Sequence, residues 1–484
     1  MSLRLPGLRG KSESRRRERE KEKFLDKILR DRYGLEDMMG RSARGLVRGG
    51  QGLGLGGPRC YQTHLCSIAR HASRWKAAVW KPRATKTNGG GKGQGEGELC
   101  FENKVVIVGA GIAGLSLAVA LKRKGIDFVV LEKADERRDG GTAIALWENA
   151  WRALEALDVA QDLRSKHDKL DRIQLCAAEG KVLKEFSLDQ NCDGAPHEFR
   201  GVFRGELLDA LGKQLEKTDI QYGYSVVEAK STGQGTAMIG TEDGQEIVCK
   251  AVVGCDGIGA KVCGLPKPRF SGYSAVRGVA EFSRGIPFEA NTVRQIFGRG
   301  VRAGMYPLSR TSVYWFVCFN SEADWINRGA DLGGYVKDLT SSWQHNISDV
   351  IEATKPESMI AAPISDRWLA PFNQVGVGNV TCCGDALHLM TPNLGQGGCC
   401  AIEDSIILAN RISSYSETQM SEAFRDFEKV RLQRCFPLTV RANVMGQLLQ
   451  IDNPVVCTLR DAVVENAYDP SHFLDHTNYD CRLA

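Results

Sequence analysis

Residues 104–114, with the sequence KVVIVGAGIAG, decide the fold. The first five form a β-branched run, which is typical of a buried parallel strand. The pattern Gly109-x-Gly111-x-x-Gly114 follows at once, and apolar residues then recur at helical spacing as far as Lys124. In such a unit the first glycine permits a tight turn, the second lets a pyrophosphate approach the backbone, and the third lets helix and strand pack closely. Free N–H groups at the helix start bind phosphate. The segment therefore predicts a Rossmann-type dinucleotide-binding unit.

A second strand, Phe128–Leu131, follows this helix and ends at Glu132, 18 residues after Gly114. A carboxylate at the end of the second strand can accept hydrogen bonds from both ribose hydroxyls of a dinucleotide. Glu132 and the adjacent Lys133 are therefore candidate cofactor-binding residues. A glycine pattern alone is a weak signal in a chain with 53 glycines. The full order of strand, glycines, helix, strand and acid is a specific signal for a dinucleotide-binding unit.

The segment Gly384–Gly398, GDALHLMTPNLGQGG, lies 275 residues beyond Gly109. Asp385 follows the run Val377–Cys383, which is predicted to be a buried strand. It is placed to bind a ribityl or ribose hydroxyl, because ligands lie beyond the carboxyl ends of strands in such sheets. A glycine-rich bend then opens a helix whose N-terminus would point at the pyrimidine edge of a flavin, where its dipole stabilises the reduced ring. This arrangement indicates FAD, and both segments must then contact one cofactor.

Together these segments resemble the single-component, FAD-dependent aromatic hydroxylases, a superfamily that includes salicylate and hydroxybenzoate hydroxylases and zeaxanthin epoxidase. More closely, the chain looks like the plant FAD-dependent monooxygenases of the monooxygenase 1 type. The similarity runs from about Asn103 to Cys481. Further matching segments are Trp147–Ala150, Phe203–Leu208 and Tyr306–Pro307.

The resemblance implies a role for each matching position. Glu132 would hold the adenosine ribose, and Asp385 would bind the ribityl side. Arg204 would contact FAD, with an ordinary surface-helix position as the alternative. His388 is expected either near the flavin ring or as a packed surface residue. The positions that would line the isoalloxazine are Pro392, Leu394, Gly395, Gln396 and Gly397.

A third family motif, an Asp-Gly pair followed by a serine and a basic residue, contributes to both FAD and NADPH binding. Here Asp256-Gly257 ends another predicted strand, but the serine is missing and residues 258–266 look about three residues short of the pattern. Lys261 offers the basic function. A shortened helix start and a defective gene model would each produce this sequence. The departure puts NADPH-driven reduction in question more than FAD binding.

The predicted fold class is α/β, with a Rossmann-type FAD-binding domain of the glutathione-reductase-like, hydroxylase type. A β-sheet substrate domain is interleaved with it, and C-terminal helices follow. Within the substrate domain, Tyr314 or Trp315 in the strand Val313–Phe319 would wall an aromatic substrate or belong to the plain core. The predicted ranges are 1–99 for a leader, 100–175, 201–263 and 373–415 for the FAD-binding domain, 176–200 and 264–372 for the substrate domain, and 416–484 for a C-terminal helical segment.

The net charge of +5 is unevenly distributed along the 484 residues. Residues 38–95 contain 11 Lys or Arg and no acid, whereas residues 96–484 contain 51 acidic and 41 basic residues. The acidic body gives little support to nucleic-acid binding. An acid-poor, Arg-rich leader resembles a transit peptide and predicts a chloroplast location, with the cytoplasm as the alternative for an unaddressed tail.

Two other classes of site find no support. The uncharged stretch Val105–Leu121 is short and interrupted by glycines, so no integral membrane span is predicted. The 16 cysteines are scattered without a CxxC pair, which favours buried thiols over a zinc site.

The resemblance implies that NADPH or NADH reduces bound FAD and that O₂ adds to form a flavin hydroperoxide. Its terminal oxygen would be transferred to a small-molecule substrate, aromatic or isoprenoid. The flavin carries the chemistry, so no metal or catalytic triad is expected, and no substrate-activating base is identified. The alternatives are an FAD oxidase or reductase of the same fold, and an FAD-binding protein impaired by its truncated Asp256-Gly257 motif. The substrate and the oligomeric state are not predicted.

Overall fold

A computed structural model describes residues 101–137, 142–189, 197–325 and 331–484. The predicted leader, residues 1–99, and its targeting function lie outside the described residues. Within the described ranges, each helix is too short or too polar to cross a bilayer.

The strands of the described residues form two large sheets and one ribbon. In chain order they are β1 (Phe101–Val108), β2 (Phe128–Glu132), β3 (Ala143–Trp147), β4 (Arg172–Ala177), β5 (Val182–Ser187), β6 (Phe199–Phe203), β7 (Ile220–Tyr222), β8 (Val226–Ser231), β9 (Ala237–Thr241), β10 (Glu246–Gly254), β11 (Arg269–Glu281), β12 (Thr292–Phe297), β13 (Val301–Pro307), β14 (Ser312–Asn320), β15 (Ile360–Asp366) and β16 (Val380–Cys382).

The helices lie mainly around the first sheet and at the C-terminal end of the chain. They are α1 (Ile112–Arg123), α2 (Glu148–Ala156), α3 (Ala160–Arg164), α4 (Arg204–Gly212), α5 (Leu332–Leu339), α6 (Ile347–Glu352), α7 (Asp385–His388), α8 (Gly397–Ser414), α9 (Met420–Leu449), α10 (Pro454–Ala467) and α11 (Pro470–Leu474).

The first sheet has the order β7-β2-β1-β10-β9-β8, and β16 pairs with the last three residues of β10, beyond the part that pairs with β9. Strands β2, β1, β10 and β16 run parallel. Their central residues are fully buried apolar side chains such as Ile107 and Val253, as expected for strands covered on both faces. Because parallel strands end at one edge, the residues that follow β1, β2, β10 and β16 meet there.

The predicted elements around both motifs are present, but one is shorter than expected. The predicted strand Val377–Cys383 is reduced to β16, which begins only at Val380. Gly378 has a φ of +59°, and a Cβ at Gly376 would lie 1.8 Å from the carbonyl oxygen of Val380. The chain therefore turns tightly before β16, and only the residues beyond the turn can pair with β10.

The second sheet has the order β15-β11-β14-β13-β12-β4-β5 and is antiparallel except between β12 and β4. One face packs on α5 and α6 through Trp315 and Val336, among others. Trp315 is fully buried and its Nε1 donates to Thr354 Oγ1 at 2.7 Å. Trp315 therefore belongs to the core. Tyr314 lies on the opposite face, within the core that this sheet shares with α1 and the first sheet.

The C-terminal region is helical, as predicted. Helix α9 runs for 30 residues and packs on α8. The last residues return to this core: Cys481 is fully buried, and Arg434 donates to the carbonyl oxygen of His476 at 2.6 Å. The observed architecture thus confirms the predicted α/β class with a Rossmann-type half, a β-sheet half and C-terminal helices.

Candidate functional site

The three glycines of the fingerprint have three different surroundings. Gly109 has a φ of +109°, and a Cβ there would lie 2.6 Å from the carbonyl oxygen of Cys255. A Cβ at Gly114 would lie 1.9 Å from the carbonyl oxygen of Gly109. At Gly111, by contrast, a Cβ would meet nothing within 4 Å. The first and third glycines are therefore required by packing, whereas the second borders open space that a phosphate group can enter.

The N-terminus of α1 faces this open space. The helix begins at Ile112, has no acidic residue in its first turn and has no side-chain cap at Gly111. Its first amides therefore keep free N–H groups and the positive end of the helix dipole. This is the geometry in which helix termini bind anions.

Glu132 lies at the carboxyl end of β2 and closes the fingerprint turn. Its Oε2 accepts from the amide of Ala110 at 2.8 Å, and its Oε1 accepts from the amide of Ala134 at 3.0 Å. Each oxygen retains a lone pair for a further donor, such as a hydroxyl. Lys133, the next residue, is exposed to solvent.

The second predicted segment packs directly on the first. Gly384 follows β16 with a φ of +64°, and a Cβ there would lie 2.8 Å from the Cβ of Ala113 in α1. Asp385 then begins α7, and its carboxylate has no hydrogen-bond partner among the described residues. The side chain is exposed, yet enough protein surrounds it that desolvation raises the pKa of Asp385 above its ordinary value. An accessible, unpartnered carboxylate at this edge is suited to a hydroxyl ligand.

The glycine-rich bend lies between α7 and α8. Pro392 is exposed, and Gly395 has a φ of +62° with its Cβ position 3.1 Å from Trp147 Nε1. Gly397 begins α8, whose first turn contains no acid. Gln396 differs from its neighbours because it is fully buried and accepts a hydrogen bond from Asn149 Nδ2 at 2.9 Å. Its side chain fixes the bend, whereas the neighbouring backbone stays accessible.

His388 lies behind the bend, away from solvent. Its Nε2 is 2.7 Å from Asp404 Oδ2, and both side chains are buried. Burial alone would lower the pKa of His388, but the Asp404 carboxylate outweighs it and raises the pKa to about 9. Burial would also raise the pKa of Asp404, but His388 and Arg431 hold it at about 2. The imidazolium and carboxylate therefore form a buried ion pair.

Arg431 of α9 completes this network. Its Nε donates to Asp404 Oδ1 at 2.6 Å and an NH2 donates to Glu403 Oε2 at 2.7 Å, with all three side chains fully buried. Asp404 Oδ2 also accepts from the amide of Gly384 at 2.7 Å. Sequence reasoning missed these residues. The available signal was two adjacent acids within the otherwise buried face of α8, which require a buried cation.

The Asp256-Gly257 segment closes on itself. Asp256 Oδ2 accepts from the amides of Lys261 and Val262 at 2.5 and 3.1 Å, while its buried Oδ1 has no partner. Ala260 takes a left-handed conformation with a φ of +43°. The carboxylate thus caps its own turn, and the Lys261 side chain is exposed beside it.

Arg367, also missed from sequence, joins this turn to α7. Its guanidinium donates to the carbonyl oxygens of Ile258 at 2.6 Å and Pro266 at 2.7 Å. It also donates to the carbonyl oxygens of Asp385 and Ala386 at 3.0 and 3.1 Å. Desolvation lowers the pKa of Arg367, and one buried cation holds two candidate cofactor segments at a fixed distance.

Arg204 begins α4, where its amide donates to the carbonyl oxygen of Thr142 at 3.1 Å. Its guanidinium is half-buried and has no carboxylate partner in the described part of the chain. Desolvation lowers the pKa of Arg204, and the neighbouring charge of Arg277 lowers it further. An unpaired cation in this position is suited to an anionic ligand.

The parallel sheet ends in a glycine fingerprint, and an acid follows its second strand. Two further turns at the same edge carry an acid. Together these features define a dinucleotide-binding flavoprotein. A family model described as a FAD binding domain matches residues 102–435, and the chain belongs to this family.

Relatives and solved structures agree with this assignment. Monooxygenase 2 of Arabidopsis thaliana is 32% identical over 400 residues, which cover 78% of this chain and 97% of that protein. Aurachin C monooxygenase/isomerase of Stigmatella aurantiaca is 29% identical over 364 residues, covering 74% of this chain and 93% of that one. Klebsiella pneumoniae HpxO in complex with FAD and uric acid has the same fold, with a TM-score of 0.68 at 24% identity over 78% of this chain and 96% of that chain. The predicted plant-type FAD-dependent monooxygenase family is thereby confirmed, and with it an oxidoreductase class.

Proposed function

We propose that this protein is a monooxygenase that binds FAD, takes electrons from NADPH or NADH and inserts one atom of O₂ into a small organic substrate. The observation that carries the proposal is the meeting of Gly111, Glu132 and Asp385 at one edge of the parallel sheet, each with space or a lone pair left for a ligand. Bound FAD would supply the activation of O₂ and the oxygen transfer.

The residues at this edge fit the parts of an FAD. The free amides of α1 and the open space at Gly111 suit the pyrophosphate. Glu132 suits the adenosine ribose, and Asp385 suits a ribityl hydroxyl. The exposed Pro392 and the start of α8 at Gly397 suit the isoalloxazine, whose reduced form the α8 dipole would stabilise. Arg204, a half-buried cation without an acidic partner among the described residues, suits an anionic part of the cofactor.

The relatives support the reaction class without fixing the substrate. Their names include a urate hydroxylase of Mycolicibacterium vanbaalenii, 28% identical over 360 residues. They also include a chloroplastic zeaxanthin epoxidase of an Oncidium hybrid, 30% identical over 359 residues that cover 53% of that protein. Both aromatic and isoprenoid substrates therefore remain part of the proposal. The epoxidase and the acid-poor leader together support a chloroplast location.

The experiment is a cofactor and turnover assay on the purified full chain. A yellow protein with a flavin spectrum that bleaches under NADPH without air, and that consumes O₂ faster when a phenolic substrate is added, would support the proposal. Asp385→Asn should weaken FAD retention, whereas Asp338→Asn, at an exposed position of α5 on the Trp315 face of the second sheet, should not. A colourless protein, or a yellow one that stays oxidised under both nicotinamides, would refute it.

A second candidate is an FAD-binding protein with impaired reduction. The closed Asp256-Gly257 turn favours impaired reduction, because Asp256 caps its own backbone and leaves Oδ1 buried without a partner. Insertion of three residues after Gly259 tests this directly. A gain in the rate of flavin reduction by NADPH, with unchanged FAD content, would favour the impaired form. An unchanged or slower rate would favour the native turn as functional.

A further inference from the structure

Two cysteines face each other where β10 and β16 end. The strands pair in parallel, and the last pair in register is Gly254 with Cys382. Cys255 and Cys383 follow directly, and the amide of Cys383 donates to the carbonyl oxygen of Gly254 at 3.0 Å. Both side chains lie in the core that surrounds α1, and their Sγ atoms are 3.2 Å apart. The backbone pairing of the two strands therefore holds these thiols together.

The geometry of the Cys255–Cys383 pair suits a disulfide. Neighbouring strands lie about 4.8 Å apart, and disulfides join Cα atoms that are about 4.4–6.8 Å apart. Rotation about the two Cα–Cβ bonds can bring the Sγ atoms from 3.2 Å to the bonded distance of about 2.05 Å. The cross-link therefore needs little movement of the backbone.

Two further thiols lie beside this pair. The side chain of Cys382 forms a hydrogen bond with Cys263, so the four cysteines make two pairs. Clustered thiols in proteins bind a metal ion or form disulfides. Across the part of the chain that the structure describes, no group of three or more His, Cys, Asp or Glu is arranged to hold a metal ion. The arrangement is therefore suited to oxidation.

The two members of the Cys255–Cys383 pair differ in exposure and in proton affinity. Cys255 is 8% exposed, whereas Cys383 is 1% exposed. The hydrogen bond with Cys255 raises the pKa of the Cys383 thiol well above its ordinary value, and burial raises that pKa further. Cys383 therefore keeps its proton and donates it to Cys255 Sγ. Because the thiolate is the reactive form of a cysteine, Cys255 is the thiol that reacts first.

The pair lies between two candidate cofactor segments. Cys255 directly precedes Asp256, and Cys383 directly precedes Gly384 and Asp385. Among the described strands, β16 pairs with β10 alone, over three residues. Elements with few contacts open locally at a low free energy. The position of Asp385 therefore depends on a short strand that a covalent bond to β10 would fasten.

We propose that Cys255 and Cys383 are a site of reversible oxidation, and that their disulfide fastens β16 to β10 and slows the release of FAD. This inference goes beyond the proposed reaction, because it needs bound FAD but no turnover. The oxidant is hydrogen peroxide, and a dithiol reverses the bond by thiol–disulfide exchange.

The oxidation proceeds in two balanced steps. The sulfur of Cys255 attacks one peroxide oxygen and the O–O bond breaks, which gives a sulfenic acid and one water. The sulfur of Cys383 then attacks the sulfur of Cys255, the S–O bond breaks, and a second water leaves. In total the two thiols lose two electrons and two protons, and one hydrogen peroxide is reduced to two waters.

The test uses the FAD-loaded full chain without substrate or nicotinamide. The protein is treated with hydrogen peroxide, free thiols are alkylated, and a non-reduced digest is analysed by mass spectrometry. We expect a peptide that links Cys255 to Cys383 and that disappears after treatment with dithiothreitol.

Two physical readouts accompany the linked peptide. The oxidised protein should melt about 4 °C or more above the reduced one, because the bond joins residues 128 positions apart and restricts the unfolded chain. FAD release after dilution, followed by flavin fluorescence, should be about 3-fold or more slower in the oxidised protein, because local opening of β16 is suppressed.

Alanine variants isolate this pair from other effects of peroxide. Cys255→Ala and Cys383→Ala each remove the bond, and one serves if the other does not fold. In neither variant should peroxide change the melting temperature or the rate of FAD release. Cys249→Ala is the matched control, because it removes a fully buried thiol of β10 that donates to the carbonyl oxygen of Ala237 at 3.5 Å. It should respond to peroxide as the unaltered protein does.

The outcomes separate the disulfide from the proposed reaction. Absence of the linked peptide, or a link between Cys263 and Cys382 in its place, would overturn the assignment of the pair. A Cys255–Cys383 bond that leaves the rate of FAD release unchanged would overturn its role in holding β16. Slower release that depends on both cysteines would support the inference even if the protein oxidises no NADPH, and the proposed reaction alone would then fail.

Discussion

Gly384 lies directly against Ala113: a Cβ at Gly384 would be 2.8 Å from the Cβ of Ala113, in the first turn of α1. The same glycine has a left-handed φ of +64°, and its amide donates to Asp404 Oδ2 at 2.7 Å. Two segments that are 275 residues apart in sequence therefore meet through one residue without a side chain. Its backbone position determines where Asp385 lies relative to the fingerprint.

Gly384→Ala should weaken both the fold and cofactor binding. A non-glycine residue at φ +64° and ψ −144° costs about 1–3 kcal/mol, and the methyl group of alanine would push α1 away from α7. We expect a loss of roughly 2 kcal/mol or more in the free energy of unfolding, measured in urea, and a lower ratio of bound flavin to protein. Gly244→Ala is the control, because it has a φ of +86° but open space at its Cβ. Gly244→Ala should lower the free energy of unfolding through its backbone conformation but keep the full flavin content. Equal flavin loss in both variants would contradict this account.

Ala260→Gly should stabilise the protein. Ala260 has a φ of +43° in the turn that Asp256 caps, a conformation that glycine adopts without strain. The relief of about 1–2 kcal/mol exceeds the loss of one buried methyl group, about 0.8 kcal/mol. We expect a net gain of up to about 1 kcal/mol in urea unfolding. Ala303→Gly, in the extended strand β13, should destabilise instead. A destabilised Ala260→Gly would mean that this turn is not left-handed at residue 260.

The β1–α1–β2 unit was predictable because its signals are local. Glycines at fixed offsets, a β-branched run and an acid at the strand end all lie within Lys104–Glu132. The meeting with Asp385 was predictable too, since ligands lie beyond the carboxyl ends of parallel strands. The shortening of β16 was not, because it depends on the close approach of Gly376 to the carbonyl of Val380.

The supporting cations were not predictable for a different reason. Arg431 is 27 residues from Asp404, and the pair forms only because α9 packs on α8. Arg367 binds backbone carbonyl oxygens, which carry no signature in the sequence. Both arginines hold the predicted residues in place, and neither belongs to the pattern that predicted them.

Arg431→Met should be strongly destabilising. It would leave Asp404 and Glu403 fully buried without their shared cation, and breaking a buried ion pair from one side costs about 3–5 kcal/mol. Urea unfolding measures the loss. Arg425→Met, in an exposed pair with Glu422 on the same helix, should change stability by less than about 1 kcal/mol.

A compensated variant separates lost charge balance from lost packing. Arg431→Met combined with Asp404→Asn removes the stranded Asp404 charge while keeping a similar side-chain volume, and Glu403 keeps Arg434 NH2 at 3.3 Å as its cation. It should recover part of the stability lost in Arg431→Met. No recovery would show that the arginine acts by filling space, and the network would then have no electrostatic role.

The ion pair of His388 and Asp404 should make stability depend on pH. The folded pKa of His388 is about 9 against an ordinary 6.5, so its contribution is complete below pH 6.5 and is lost as the pH rises through 9. Asp404 titrates near 2, so its contribution persists until strongly acidic pH. Between pH 6.5 and 9 we expect the free energy of unfolding to fall by about 3 kcal/mol from this pair.

His388→Asn, which retains a donor toward Asp404, should flatten that decline. His476→Asn should leave it unchanged, because burial lowers the pKa of His476 and its effect falls below pH 6.5. An equally steep decline in His388→Asn would place the titrating proton elsewhere.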